Sequence, residues 1–218
     1  MQKKIKNKKF LVTAGPTHEY IDPVRFIGNQ SSGKMGFAIA EELADKNAEV
    51  ILITGPTHLE TKNKSIKKIN ITSADEMLTN VLEHFSSADC IIMSAAVADY
   101  TPVKTFDKKH KKGNSNLQIA LKPTIDILKE LGKLKKEKQI LVGFALETDN
   151  EIQNAKNKLE KKNLDFIVLN SLNDTGAGFQ HDTNKITIID KYNKITNFEL
   201  KSKTEVAKDI VEKIFDLI

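Results

Sequence analysis

The sequence predicts an α/β fold: a doubly wound, mostly parallel sheet with a hairpin at one edge and a mobile lysine-rich loop. Strand-like and helix-like segments alternate along most of the chain. The strand-like segments are nearly all apolar, as parallel strands covered on both faces are. The two segments before the last helix follow each other closely, as hairpin strands do.

The elements follow in order. "KFLVTAG" (9–15) reads as a strand ending in a Gly-Pro turn. "SSGKMGFAIAEELADKN" (31–47) reads as a helix capped by Ser31 or Ser32, with Met35, Ile39 and Leu43 on one face. "AEVILITG" (48–55) and "IKKINIT" (66–72) read as strands. Ser73 opens the next helix, with Glu76 three residues on, the pattern of a capping box. "ADCIIMSAAV" (88–97) is a fourth strand, and "LQIAL" (117–121) a short alternating one. "TIDILKELGKL" (124–134) and "NEIQNAKNKLEKKN" (150–163) are helices, each followed by an apolar strand, "QILVGFAL" and "LDFIVLN". "NKITIID" and "KITNFEL" form the hairpin, and "KTEVAKDIVEKIFDLI" is the last helix. No repeat or flexible linker interrupts residues 1–218, so one domain is expected, with a flap over residues 101–121.

Composition narrows the function. Hydrophobic content of 39% and charge content of 29% fit a soluble globular protein. No apolar run approaches about 20 residues, so no membrane span is expected. "FLVTA" is too short for a signal-peptide core. Cys90 is the only cysteine, which excludes an intrachain disulfide and points to a cytoplasmic protein. The net charge is +5, but residues 103–138 hold eleven lysines against four acids. With one aromatic and no arginine there, the segment suits small phosphorylated ligands better than nucleic acid. Arg25 is the only arginine among 34 cationic residues, which singles it out for a bidentate contact that lysine cannot make.

Ligands of such sheets bind beyond the carboxyl ends of the strands. That places Gly15 to Thr17, Gly55 to Thr57, Ser94 to Asp99, Phe144 to Thr148 and Asn170 onward at the site. "GNQSSGKM" (28–35) imitates a phosphate-binding P-loop, with Gly28, Gly33 and Lys34 in place. Met35 removes the metal-binding hydroxyl, and the stretch does not follow directly on its strand, so the P-loop reading fails. The start of a helix with Ser31, Ser32 and Gly33 remains suited to an anion, or is an ordinary capped helix whose Gly36 packs on the sheet. Tyr100 and Lys104 imitate a dehydrogenase pair, but Pro102 breaks the helix that pair needs. The five histidines show no metal spacing, and no nucleophile elbow is present. Group transfer by positioning and charge neutralisation remains. Lys158 and Lys162 share a helix face, as either a site or a solvated surface.

Longer strings go further. "TAGPTHEYIDPVRFIGNQSSGKMGFAIAEEL", "SAAVADYTP", "KKHKK", "KPTIDIL", "VGFALET", "AKNKLEKKNLDFIVLN" and "GFQHDTNKITIID" resemble the phosphopantothenoylcysteine synthetase family, in the family's order, from about Phe10 onward. The resemblance implies a Rossmann-like nucleotide fold and a stand-alone synthetase, with the flavoprotein decarboxylase as a possible separate partner. It implies a homodimer that couples 4′-phosphopantothenate to L-cysteine, using CTP and Mg²⁺ and releasing pyrophosphate and then CMP. It implies that Asn29 handles the acyl-cytidylate, with Arg25 four residues before it and Ala95 near the acyl group. Asp99, Phe144, Lys158, Lys162 and the turn Thr124, Ile125 and Asp126 match nucleotide contacts. Lys109 matches the first lysine of the flap. The metal-holding group is not implied. Three positions depart from the family pattern: Gly28 for serine, His110 for isoleucine, and Ile125 for the proline of the turn. The rival functions are a nicotinamide oxidoreductase, marked by tight NADPH binding without CTP binding, and a non-catalytic nucleotide-binding module.

Overall fold

The computed structural model describes residues 5–112, 116–171 and 181–218. Six parallel strands form its centre: β1 (Lys9–Ala14), β4 (Glu49–Thr54), β5 (Lys67–Asn70), β6 (Cys90–Met93), β9 (Ile140–Glu147) and β10 (Phe166–Ser171). Their order across the sheet is β5-β4-β1-β6-β9-β10. Chain order therefore reverses between β1 and β6, the switch point at which a crevice opens in doubly wound sheets. The expected edge hairpin is present: β12 (Ile186–Asp190) pairs antiparallel with β10, and β13 (Ile195–Asn197) pairs with β12.

Two-residue periodicity divides the core. Phe10, Val12, Leu52, Ile92, Val142 and Val168 face one side, where α1 (Lys34–Asp45) and α5 (Lys203–Phe215) pack side by side. Leu11, Ile53, Ile91, Leu141 and Ile167 face the other, beneath α2 (Ala74–Phe85), α3 (Ile127–Leu134) and α4 (Glu151–Lys161). The strands are thus apolar on both faces because helices cover both. Cys90 opens β6 at 0% exposure, and burial first, then the nearby Asp165 and Asp89, push its thiol well up. Among the described residues no helix is long and apolar enough to cross a membrane.

Three local expectations change. Neither serine caps α1 through its side chain: Gly33 is the cap, at φ 79°, and Ser31 Oγ instead accepts the Gly33 N–H at 3.3 Å. A left-handed cap needs glycine more than it needs a hydroxyl. At α2, Ser73 Oγ accepts from Glu76 N–H, but the Glu76 carboxylate reaches back to Thr72 N–H at 2.7 Å. The reciprocal box forms at α5, between Ser202 and Glu205. "LQIAL" is no strand over its length; only Leu121 joins β8 (Leu121–Pro123), which pairs with β7 (Tyr100–Pro102).

Two further pairings were not anticipated: the hairpin of β2 (His18–Tyr20) with β3 (Phe26–Gly28), and β11 (Thr183–Asn184) with β14 (Lys201–Ser202). Gly113 and Asn114 of the lysine-rich loop, and the stretch expected to follow Asn170 from 172 to 180, lie outside the described residues.

Candidate active site

A cleft of about 430 Å³ opens at the switch point, within the size range of small-molecule sites. The segments after β1 and β6 make its floor. Thr13 Oγ1 accepts the Ala95 N–H at 3.2 Å, and Ser94 Oγ donates to the Thr13 carbonyl at 2.5 Å. Gly36 brings α1 onto this floor, where a Cβ would lie 2.6 Å from that of Ala14 and 2.7 Å from Ser94 Oγ. Any side chain there would push the helix start away from the strands. The close packing expected of Gly36 is therefore present, together with a helix start that faces the cleft.

Asn29 lies at the rim. Its Nδ2 donates to the carbonyls of Ala96 and Val97, both at 3.1 Å. Both amide hydrogens are thereby committed, so the side chain offers Oδ1, an acceptor, to whatever occupies the cleft. The pairing itself fixes which way the amide points.

The far wall carries cations. Lys158 donates to the Phe144 carbonyl at 2.8 Å. Burial lowers its proton affinity, and the neighbouring Lys162 adds to this against Glu147, Asp126 and Asp99. Lys162 pairs with Asp126 at 2.8 Å. Asp126 also caps α3, taking the Lys129 N–H at 3.0 Å. Burial would raise its carboxyl, but these donors hold it below the usual range. Thr124 Oγ1 donates to the Ala98 carbonyl at 2.6 Å, which ties the turn to the segment carrying Asp99. Ile125 takes its place in that turn, half exposed. Four lysines and two aspartates line the cleft, which is therefore net positive.

Fourteen of the residues singled out from sequence line this one cleft or stand directly beneath it. Asn29, Ser31, Ser32, Gly33 and Lys34 do so from one side. Ala95, Asp99, Thr124, Ile125, Asp126, Phe144, Lys158 and Lys162 do so from the other. Gly15 lies under Gly33, whose Cβ would meet the Gly15 nitrogen at 3.3 Å. Arg25 and Lys109 are not among the lining residues. Arg25 Nη2 instead binds Asp22 at 2.6 Å and donates to the His110 carbonyl at 2.5 Å. Asp22, fully buried, also accepts the backbone N–H groups of Val24, Arg25 and His110. Burial would raise its carboxyl, yet these donors hold it far below the usual range. The guanidinium therefore clasps the flap backbone, with Lys109 exposed beside the clasp.

Sequence reasoning missed Lys203 and Asn184, both of which line the cleft from the C-terminal part of the chain. The only local signal was a lysine at the first position of a helix, where a cation opposes the helix dipole.

The profile of the DNA/pantothenate metabolism flavoprotein C-terminal domain matches residues 5–217. Over 217 residues the chain is 55% identical to a protein from an unknown prokaryotic organism named cysteine/cysteine sulfinic acid decarboxylase, covering 100% of this chain and 60% of that protein. It is 46% identical over 210 residues to the coenzyme A biosynthesis bifunctional protein CoaBC of Bacillus subtilis (strain 168), covering 96% and 52%. The chain thus spans about half to three-fifths of the length of these relatives. The crystal structure of the C-terminal domain of a CoaBC protein matches at a TM-score of 0.83 and 41% identity, over 98% of this chain and 97% of that one. The motifs, the switch-point cleft and these likenesses agree: the chain belongs to the DNA/pantothenate metabolism flavoprotein C-terminal domain family, to which the C-terminal domain of CoaBC also belongs.

Proposed function

We propose that the chain is a phosphopantothenate–cysteine ligase of coenzyme A biosynthesis that uses CTP. The observation that carries this reading is the cleft itself, in which a fixed neutral amide stands between a helix start and a wall of partly buried lysines. That arrangement suits a reaction whose charge lies on phosphates and whose reacting carbon is an uncharged acyl group.

In the first half-reaction a carboxylate oxygen of 4′-phosphopantothenate attacks the α-phosphorus of CTP. The bond from α-phosphorus to the bridging oxygen breaks, and its electron pair leaves with pyrophosphate. In the second, the cysteine amine attacks the acyl carbon, the carbon–oxygen bond to phosphate breaks, and CMP departs. The amine proton passes to solvent or to a product oxygen. Lys158 and Lys162, with Asp99, Phe144 and the Thr124–Asp126 turn, support the nucleotide. Asn29 Oδ1 is placed to accept from the incoming amine while Ala96 and Val97 hold the amide still.

Mg²⁺ would neutralise triphosphate charge when bound. Among the described residues no three His, Cys, Asp or Glu side chains are placed to hold a metal. The ion would therefore enter with the phosphates, as Mg²⁺ commonly does in nucleotide sites. Arg25 and Lys109 fit this reading as servants of a neighbouring site in a homodimer. The exposed apolar residues Val24, Phe26, Tyr100, Val103 and Leu121 around the clasp offer a surface for a second copy. A decarboxylase would consume the product.

The test mixes protein, 4′-phosphopantothenate, L-cysteine, Mg²⁺ and each triphosphate in turn and measures pyrophosphate. Release is expected with CTP, and only when 4′-phosphopantothenate is present. Comparable kcat/KM with ATP would remove the CTP assignment. Nucleotide binding without pyrophosphate would leave a non-catalytic module. Decarboxylation of cysteine without any nucleotide would replace the ligase reading altogether.

A further inference from the structure

Two lysines stand where helix electrostatics disfavours them. Lys34 is the first residue of α1 and Lys203 the first of α5, and both line the cleft. A cation at a helix start opposes the positive end of the dipole. Each helix could open on a neutral residue, so both placements need a reason outside the helix. The box formed by Ser202 and Glu205 already satisfies the start of α5, which leaves the Lys203 side chain to turn into the cleft.

Lys34 pairs with Asp182 at 2.5 Å, but the Asp182 side chain is 86% exposed. Lys203 Nζ donates to the His181 carbonyl at 2.6 Å and is 8% exposed. Burial, then the Lys34 charge, lowers its proton affinity against the pull of Asp182. Among the described residues the corner brings together two lysines and one exposed carboxylate, that of Asp182.

A separate observation points to a ligand. Asn184 is 2% exposed and gives its Nδ2 to Asn170 Oδ1 at 3.0 Å. Among the described residues its own Oδ1 has no partner. Buried acceptors left this way are rare and mark sites where a ligand or water completes the set. Turning the Asn184 amide over alone would set its Oδ1 against Asn170 Oδ1.

The occupant must bring anionic oxygens for two lysines and a donor for one buried oxygen. A carboxylate brings only the first, and chloride brings neither. A diphosphate brings both, the donor being a protonated terminal oxygen or a water held on the metal that travels with it. We infer that Lys203, Asn184 and Lys34 form the receptor for the diphosphate end of the nucleotide, and so for the pyrophosphate leaving group. This rests on the nucleotide-dependent reading above. In that role the two ammonium groups stabilise the electron pair that moves onto the bridging oxygen as its bond to the α-phosphorus breaks.

The test is calorimetric titration of the full chain with inorganic pyrophosphate and, separately, with CMP, each in Mg²⁺. Wild-type protein is expected to bind both. Lys203→Gln should weaken pyrophosphate binding by about tenfold or more, the effect of losing one charged hydrogen bond, and leave CMP within about twofold. Lys203→Arg should recover most of the loss. Asn184→Leu should weaken pyrophosphate without weakening CMP, which checks the site without touching the lysine. Unchanged pyrophosphate affinity in both Lys203→Gln and Asn184→Leu, with CMP still bound, would overturn the receptor and leave the nucleotide reading standing. Wild-type protein that binds neither probe would overturn the nucleotide reading and the receptor with it.

Discussion

The two ends of the sheet are built from the same residue types and treat charge in opposite ways. At the amino end, Asp165 is 5% exposed and takes Lys135 at 2.7 Å, Lys191 at 3.0 Å and the Leu141 N–H at 2.9 Å. Asp89 takes Lys8 and the Lys9 N–H, and Asp190 takes Lys213 and two backbone N–H groups. Gln139 bridges the Phe85 and Ala88 carbonyls there. These acids are saturated with donors. At the carboxyl end, among the described residues, lysines outnumber acids in the cleft and one buried acceptor stands without a partner. Lysine content does not separate scaffold from site; the completeness of pairing does.

The largest expected effect is at the amino end. Asp165→Ala leaves the nearly buried Lys135 without its counter-charge, though still donating to the Asn163 carbonyl, and removes the acceptor of the Leu141 N–H; it should lower unfolding free energy by about 3 kcal/mol while leaving pyrophosphate release per folded molecule unchanged. The loss should shrink in acid. Burial tends to raise the Asp165 carboxyl, but Lys135, Leu141 N–H and Lys191 depress it overall. Its contribution is therefore complete above the ordinary carboxylate value of about 4 and fades as pH falls through the depressed native value. Urea titrations at several pH values check both statements.

Next is Asn29→Asp at the carboxyl end. A carboxylate would face two carbonyl oxygens where the amide donates at 3.1 Å. Repulsion should displace the rim by a fraction of an ångström and lower kcat by about a hundredfold, with CMP still bound. Wild-type turnover would remove the rim from the chemistry.

Arg25→Lys should have a smaller effect, because the guanidinium is 41% exposed. Lysine cannot span Asp22 and the His110 carbonyl together, so trypsin should cut the flap at Lys104 to Lys112 roughly fivefold faster, a loss near 1 kcal/mol. Equal cleavage would mean that backbone contacts alone hold the flap.

The smallest change should be the stability of Lys158→Met. Removing a partly buried ammonium relieves its desolvation and its repulsion from Lys162. The urea midpoint should hold or rise, by under about 1 kcal/mol in stability, while turnover falls. A marked fall in stability would move Lys158 to the scaffold class and weaken the contrast between the two ends.

Much of this frame was legible in the sequence because apolar strands and amphipathic helices report their own burial. The cleft was legible too, since its lining follows directly on strands. What stayed hidden depends on distant partners. The β2–β3 pairing lies in a stretch punctuated by Pro16 and Pro23 that reads as loop, and its strands are three residues long. "LQIAL" alternates, but Leu117 and Leu121 are exposed and only Leu121 pairs. Arg25 stood out by rarity, yet its partners, buried Asp22 and the His110 carbonyl, could not be inferred from rarity. The orientation of Asn29 follows from two carbonyls nearly seventy residues away. Lys203 and Asn184 reach the cleft only because the C-terminal strands and α5 return to the start of α1.

Cys90 carries a consequence for handling the protein. It opens β6, the strand between β1 and β9, and its side chain is buried in the core face that α1 and α5 cover, at 0% exposure and with ionisation suppressed. A thiol reagent therefore has nothing to attack until the core beneath α1 and α5 opens. The rate at which native protein takes up such a label becomes a clock for that opening: it follows the open population at low reagent and the opening rate itself when reagent is in excess. The same shielding keeps the folded chain from forming mixed disulfides by exchange with cystine, where one cysteine leaves as its thiolate.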